Sequence, residues 1–164
     1  MPEDLALGAA NVYLANPASE SSAPPAHVNS AQVGWENSGT ITRWNTVIGG
    51  SAIPDDDVQV GFWELAPLSI YAGHVHPVPE FYVVLDGQAE WTLGDDTFVA
   101  EPGEVVYIAP NTMHRMVNLT DGLVRAVWGR WAPNGDRSVF DGEYRYVEPI
   151  PEQPPGPGFP ESAQ

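Results

Sequence analysis

Three histidines and one glutamate are spaced along the chain as the ligands of a metal ion would be. His74 and His76 lie two residues apart in a strand-like segment, so their rings leave the same face of a sheet. Glu80 follows after the break at residues 77–79, and His114 comes from a later segment. Imidazole nitrogens with a carboxylate oxygen suit Fe, Mn, Co, Ni, Cu or Zn rather than Ca. We therefore predict one divalent transition metal, with Fe or Mn favoured, bound by His74, His76, Glu80 and His114.

Short strands separated by turn residues must position these ligands. The turn signals include Asp86-Gly87, Pro102-Gly103 and Asp121-Gly122. No amphipathic helix is evident, so the pattern predicts an all-β, antiparallel jelly-roll β-barrel. An immunoglobulin-like sandwich is the alternative, and it fits worse because the turn glycines are phased with the histidines. The expected strands are Val58–Leu65, Ser69–Val75, Phe81–Leu85, Ala89–Leu93, Thr97–Ala100, Val105–Ile108, His114–Leu119 and Leu123–Trp131.

The length of 164 residues fits one domain. We place that domain at residues 33–147. Residues 1–32 are predicted to form an irregular N-terminal arm, because their second half is small, polar and proline-bearing. Residues 148–164 are a Pro-rich tail that we expect to be extended or disordered.

Charge and composition exclude several classes of protein. The net charge is −16, and all six basic residues are arginine, so nucleic acid and anionic membranes are not expected partners. The absence of cysteine excludes disulfides, thiolate nucleophiles and zinc-finger sites. There is no long apolar run and no basic, apolar leader at the N-terminus, so we expect a cytoplasmic protein.

Two segments carry the residues of a family motif. Gly73–Gly87, GHVHPVPEFYVVLDG, reads His-x-His, three residues, Glu, six residues, Gly. Gly103–Asn118, GEVVYIAPNTMHRMVN, places a glycine, a proline and an asparagine around the fourth ligand. Both segments resemble the motifs of the cupin family, and the fifteen residues between them are typical of its compact single-domain members. The resemblance implies the same ligand set and the same jelly-roll fold.

Three positions depart from the family pattern, and none of them is a ligand. Leu68 stands where the family usually has a glycine, and Ala109 stands at its usual proline. Asn111 replaces a turn glycine, and asparagine tolerates a positive φ better than other non-glycine residues.

The ligand count predicts a catalytic site. Four protein ligands on a six-coordinate ion leave two open positions, which favours catalysis over a structural role. We expect an enzyme acting on a small oxygenated organic molecule, with dioxygenation favoured and with substrate and O₂ side by side on the metal. The alternatives are a non-redox lyase or isomerase, and a binding or sensor module without chemistry of its own.

Tyr82 bears on the choice between these activities. It lies two residues beyond Glu80, so its phenol is expected in the same cavity. Some small cupins that cleave dimethylsulfoniopropionate carry the pattern His-x-His-x₃-Glu-x-Tyr, with the tyrosine as base. The resemblance implies that Tyr82 and Glu80 are the catalytic residues of the lyase alternative. Packing alone also explains an aromatic residue at this position.

Five residues are candidates for contact with the substrate. Met116 and Asn118 share the parity of the last ligand, and Trp63 is one of several tryptophans on expected strands. Arg125 and Arg130 have opposite parity on one strand, so at most one of them faces inward. That one is the candidate for binding a substrate carboxylate.

A homodimer is expected. The segment Asn11–Ala15 (NVYLA) has the composition of a strand that could add to a neighbouring sheet.

Overall fold

A computed structural model describes residues 26–38, 41–149 and 159. It contains strands and three short 3-10 helices, Ser30–Gln32, Pro133–Gly135 and Arg137–Asp141, within these ranges. None of the helices in the described ranges is long and apolar enough to cross a membrane. The strands are β1 (Glu36–Ser38), β2 (Thr42–Trp44), β3 (Val58–Leu65), β4 (Ile70–Val75), β5 (Glu80–Asp86), β6 (Ala89–Leu93), β7 (Asp96–Ala100), β8 (Val105–Ile108), β9 (His114–Val117), β10 (Val124–Trp131) and β11 (Arg145–Tyr146).

These strands form two antiparallel sheets. One sheet has the order β1-β2-β3-β10-β5-β8, and the other has the order β11-β4-β9-β6-β7. Consecutive strands such as β4 and β5 lie in different sheets, as the long crossings of a jelly roll require. The predicted all-β antiparallel jelly roll is confirmed, although the ladders form two sheets and not one closed ring.

Alternation along each strand decides which side chains face the interior. In β5, Glu80, Tyr82 and Val84 are buried, whereas Phe81 and Val83 between them are only half-buried. This period of two is the pattern of a strand with one face against a core.

Aromatic rings fill much of the space between the sheets. Trp91 is fully buried, with ring centroids 6.1 Å from Trp63 and 5.0 Å from Tyr82. Leu65 and Ile108 complete the core beside them. A fully buried side chain of this kind contributes about 1.5–3 kcal/mol through loss of apolar surface to water.

The turns explain the motif glycines and their replacements. Gly87 and Gly103 have φ of 73° and 94°, a region that L side chains rarely adopt. Asn111 has φ of 60°, as expected for a residue that replaces a turn glycine. Leu68 has φ of 54°, and leucine lacks the short polar side chain that lets asparagine tolerate this conformation. The turn between β3 and β4 therefore stores backbone strain.

The short strands β1, β2 and β11 were not expected. The NVYLA segment, most of the N-terminal arm and most of the tail lie outside the described residues. Phe159 is described, and the guanidinium of Arg43 lies over its ring at 4.6 Å.

Candidate metal centre

Neighbouring strands bring the three histidines together. His74 on β4 pairs in register with His114 on β9, and their ring centroids are 3.9 Å apart. His76 follows β4, and its ring centroid is 4.9 Å from that of His114. One nitrogen from each ring lies within 4.8 Å of the others, as a shared metal ion needs. Glu80 begins β5 in the opposite sheet, with Oε2 3.3 Å from His76 Nε2 and 3.7 Å from His114 Nε2.

Backbone carbonyls fix the orientation of each ring. Nδ1 of His74 donates to Ala72 O at 2.8 Å, because a carbonyl oxygen can only accept. His76 and His114 repeat this contact with the carbonyls of Val78 and Thr112, at 2.8 and 3.0 Å. With the proton held on Nδ1, each Nε2 presents its lone pair to the centre of the cluster. This is the outer-shell arrangement that holds metal-binding histidines in place.

The cluster has the chemistry that a transition metal requires. His114 Nε2 is buried and has no hydrogen-bond partner among the described residues. Burial lowers the pKa of His74 to about 4 and that of His114 to about 3, so both rings are neutral near pH 7. Neutral, buried imidazoles beside a carboxylate can bind a divalent transition metal, and the residues present therefore fit such an ion.

Three phenols surround the histidines. The hydroxyls of Tyr71 and Tyr144 are hydrogen-bonded at 2.7 Å. Burial, followed by the charge of Glu80, raises the pKa of Tyr82 well above its usual value. Burial also raises the pKa of Tyr71 and of Tyr144. All three phenols are therefore protonated near pH 7 unless a neighbouring cation lowers their pKa.

These groups face one cavity of about 290 Å³. That volume lies at the small end of the range of ligand pockets, roughly 300–1,000 Å³. The described side chains that line the cavity are mainly aromatic, and Arg130 is the one arginine among them. Its walls are Trp44, Trp63, Tyr71, His74, His76, Glu80, Tyr82, Trp128, Arg130, Tyr144 and Tyr146.

Trp63 and Arg130, two of the five substrate-contact candidates, line this cavity. The Nε of Arg130 donates to Gln59 Oε1 at 2.6 Å, and the guanidinium lies 5.6 Å from the ring centroid of Trp128. These contacts hold the charged head group on the wall of the cavity.

The other three candidates lie elsewhere, for identifiable reasons. Arg125 has outward parity on β10 and binds Glu64 Oε1 at 2.9 Å on the outer face of its sheet. Met116 points inward but is fully covered by the aromatic core. Asn118 follows the end of β9, and its amide donates to Ala66 O and Gly122 O, so it organises two turns. The inward or outward alternation of residues along a strand shows which face a side chain occupies, but not whether that side chain reaches the cavity.

A C-terminal segment, residues 142–148, closes one side of the site, and sequence reasoning missed it. This C-terminal strap contains β11, which pairs Tyr146 with His74 of β4. The ring of Tyr144 stacks on that of His76, with centroids 6.1 Å apart and an interplanar angle of 16°. Glu148 accepts a hydrogen bond from Gly73 N at 3.1 Å and secures the end of the strap. The two tyrosines alternate around Arg145, but a two-residue strand has too short a pattern to be predicted.

Comparisons with known proteins agree with this architecture. The family described as "Cupin domain" matches residues 61–129. The dimethylsulfoniopropionate lyase DddW of Ruegeria pomeroyi is 31% identical over 106 residues, which are 64% of this chain and 66% of that protein. The chain thus spans about two thirds of the length of this curated relative.

Two solved structures show the similarity of fold. The polyketide cyclase RemF from Streptomyces resistomycificus has a TM-score of 0.63 at 19% identity, over 76% of this chain and 87% of that one. The dimethylsulfoniopropionate lyase DddQ from Ruegeria pomeroyi has a TM-score of 0.60 at 19% identity, over 74% of this chain and 64% of that one.

Proposed function

The chain carries a cupin domain over residues 61–129, and on that premise we propose that it is a metal-dependent lyase for a small carboxylate. The proposed substrate is dimethylsulfoniopropionate or a close analogue, after the lyase that is 31% identical to this chain. In the reaction a proton leaves the carbon next to the carboxylate, and the bond from the next carbon to sulfur breaks. The electron pair of that bond stays on sulfur, so the products are acrylate, dimethyl sulfide and a proton. The observation that carries the proposal is a buried phenol beside the histidine cluster in a small aromatic cavity.

Tyr82 is the group that we assign to proton transfer. It is buried within the cavity wall and lies two residues from Glu80 on the same face of β5. Its ring is held edge-on against Trp63 at a centroid distance of 5.1 Å, so the hydroxyl has a fixed position. A positioned acid–base group of this kind contributes about 10²–10⁴-fold to a rate.

The proposed metal ligands are His74, His76, His114 and Glu80. A divalent cation held there would act as a Lewis acid toward a substrate carboxylate and would lower the pKa of a neighbouring phenol. The protein supplies buried imidazoles, a buried carboxylate and mainly aromatic walls.

Substrate recognition is assigned to the remaining walls. Arg130 is the cation that lines the cavity, and a guanidinium suits a carboxylate. The face of Trp44 offers a cation–π contact to a positively charged sulfonium group. One cation and an aromatic face thus match the two ends of a zwitterionic substrate.

Release of acrylate and dimethyl sulfide in oxygen-free buffer tests this proposal. We expect turnover with the metal-loaded protein, and a loss of about 10²-fold or more in kcat for Tyr82→Phe with an unchanged metal content. Tyr107→Phe is the matched control, because Tyr107 lies on the outer face of the same sheet and should keep full activity. Full activity in Tyr82→Phe would remove this residue from the mechanism.

Dioxygenation, which the sequence favoured, stays a prediction. The donor set of three imidazoles and one carboxylate supports it, since such a set binds Fe or Mn. Oxygen uptake with Fe(II) and a panel of enols and carbonyl compounds separates the two activities. Metal and ligand binding without either reaction would instead support the binding or sensor module.

A further inference from the structure

We propose that Tyr144, on the C-terminal strap, limits the size of the ligand that the cavity accepts. The inference rests on the proposed function, since it takes the ligand to be a small carboxylate. Tyr144 and Tyr146 line the cavity beside the histidine cluster, and both belong to the strap. One short segment at the edge of a sheet therefore supplies part of the wall of the site.

The strap is the part of the cavity wall that also faces solvent. Trp63 and Tyr82 are each 3% exposed and belong to the close-packed core, where a change in side-chain volume disturbs the fold. Tyr144 is 45% exposed and Tyr146 is 37% exposed, although both line the cavity. A side chain with the cavity on one side and solvent on the other can change in size while the core stays intact. The strap is therefore suited to set the dimensions of the cavity.

Three contacts hold the ring of Tyr144 in the wall. Its hydroxyl is hydrogen-bonded with that of the buried Tyr71 at 2.7 Å. Its face stacks on His76 at an interplanar angle of 16°. The ring of Tyr146 packs against it at 86°, with centroids 5.6 Å apart. Because these contacts involve both the hydroxyl and the ring, Tyr144 has a defined position in spite of its exposure.

Backbone contacts with β4 set the distance between the strap and the histidines. β11 is the edge strand of the five-stranded sheet, and it pairs Tyr146 with His74. Val147 N donates to Gly73 O at 2.9 Å. The strap is thus attached to the strand that carries a proposed ligand, and this pairing places Tyr144 over the cluster.

Glu148 anchors the end of the strap on Gly73. Its carboxylate accepts a hydrogen bond from Gly73 N at 3.1 Å and lies 3.7 Å from Nε of Arg115. A Cβ added to Gly73 would lie 2.8 Å from the carboxyl carbon of Glu148, so a larger residue there would displace the glutamate. The glycine therefore leaves room for the anchor. We assign Glu148 as a positioning residue, because it acts on the cavity through Tyr144.

The volume of the cavity depends on this position of the strap. With Tyr144 in the wall the cavity measures about 290 Å³, which suits a ligand of few carbon atoms. Loss of the ring would open the cavity on the side where Tyr144 meets solvent. A longer ligand could then keep its carboxylate inside the site and extend outward through the gap.

Isothermal titration calorimetry of the full, Zn²⁺-loaded chain with two carboxylates tests the proposal. Acrylate is the small ligand, and 3-phenylpropionate is the large one. We expect the wild type to bind acrylate at least about tenfold more tightly, and Tyr144→Ala to remove most of this preference. Tyr144→Phe should keep it, because the ring remains. Tyr107→Ala is the matched control, since it removes a 54% exposed tyrosine that lies outside the cavity.

Glu148→Ala is a second variant, and it keeps every side chain of the cavity wall. We expect it to lower the preference for acrylate by a smaller factor than Tyr144→Ala, because the pairing of β11 with β4 remains. Glu143→Ala is its control, since it removes an exposed carboxylate from the same strap without affecting the contact with Gly73. Circular dichroism and zinc content establish that each variant is folded and loaded, and Glu148→Ala decides alone where Tyr144→Ala is not.

An unchanged preference in Tyr144→Ala would overturn the proposal, as would an equal loss in Tyr144→Phe or Tyr107→Ala. Binding of neither carboxylate by the wild type would also overturn it. Because the measurement uses binding and not turnover, the two failures are distinguishable. Absence of acrylate release, together with a preference that falls in Tyr144→Ala, would overturn the proposed reaction and leave the size limit standing.

Discussion

At the scale of single residues, the centre depends on histidines that are kept neutral. His74 and His114 are buried and each donates from Nδ1 to a carbonyl two residues away. Burial disfavours the charged ring more than the carbonyl contact favours it, so the pKa falls in both cases. Burial keeps both rings neutral, as metal binding requires. It also makes the stability of the metal-free protein depend on pH.

The metal-free protein is therefore expected to lose stability as the pH falls from about 6.5 toward 4. In this window the unfolded chain binds protons at His74 and His114, whose folded pKa values are about 4 and 3, while the folded chain does not. The free energy of unfolding should fall by up to about 1.4 kcal/mol per pH unit for each histidine. Urea unfolding at a series of pH values measures this slope.

The variant His114→Asn tests whether the buried histidines cause this dependence of the unfolding free energy on pH. It removes one of the two buried groups and should lower the pH dependence by about half. Equal slopes in the wild type and His114→Asn would contradict the assignment.

At the scale of elements, the turn between β3 and β4 combines strain with exposure. Leu68 has φ of 54° and is 39% exposed, so its side chain contributes little packing in return. We expect Leu68→Gly to raise the free energy of unfolding by about 0.5–1 kcal/mol, since relief of a left-handed leucine exceeds the added chain entropy of glycine.

Leu119→Gly serves as the matched control in chemical unfolding. Leu119 is also exposed, but its φ is not positive, so glycine there brings the entropy cost without any relief of strain. We expect it to lower the stability. A loss of stability in Leu68→Gly would show that contacts of the leucine outweigh the strain.

Comparison of the predicted and observed strands shows which elements the sequence pattern could predict. The strands β3, β6 and β8 begin and end where the alternation and the turn residues predicted. The strands β4, β5, β7 and β10 differ by one residue at one or both ends, and β9 ends two residues earlier than expected. These strands have at least four residues and flanking turns, which give a readable period. Because β1, β2 and β11 have only two or three residues, tertiary pairing and not local pattern defines them.

The same limit applies to the site. The motif spacing predicted His74, His76, Glu80 and His114 as ligands. The three histidines lie together, and Glu80 Oε2 is 3.3 Å from His76 Nε2. Tyr144 reaches the histidines from a strap that no motif marks. Parity along β10 showed that Arg125 and Arg130 point to opposite faces, but choosing the inward one required the pairing of β10 with β3 and β5.

At the scale of the whole molecule, binding of a metal at the proposed site would be coupled to folding. The proposed ligands come from both sheets, so an ion bound by all of them links the two layers. A metal present at 100 times its dissociation constant should raise the free energy of unfolding by about 2.7 kcal/mol. Thermal and urea unfolding after chelation, with Mn²⁺ or Zn²⁺ restored, measure this gain.

Two comparisons locate the stabilising ion. His114→Asn should lose most of the gain, because it removes a ligand from the buried cluster. Ca²⁺ should give little gain in the wild type, since it prefers oxygen ligands. If Ca²⁺ stabilises as strongly as Mn²⁺, the ions bind the acidic surface and not the histidines.

The alternation of β5 has a further consequence for how this chain tolerates change. Glu80 and Tyr82 face the cavity, whereas Phe81 and Val83 lie on the outer side of the six-stranded sheet. Inserting or deleting one residue within this strand would exchange the two sets, bringing phenylalanine to the histidines and glutamate to the outside. Point substitutions can therefore alter the cavity and the outer face of the sheet independently, but both faces fix the length of this segment.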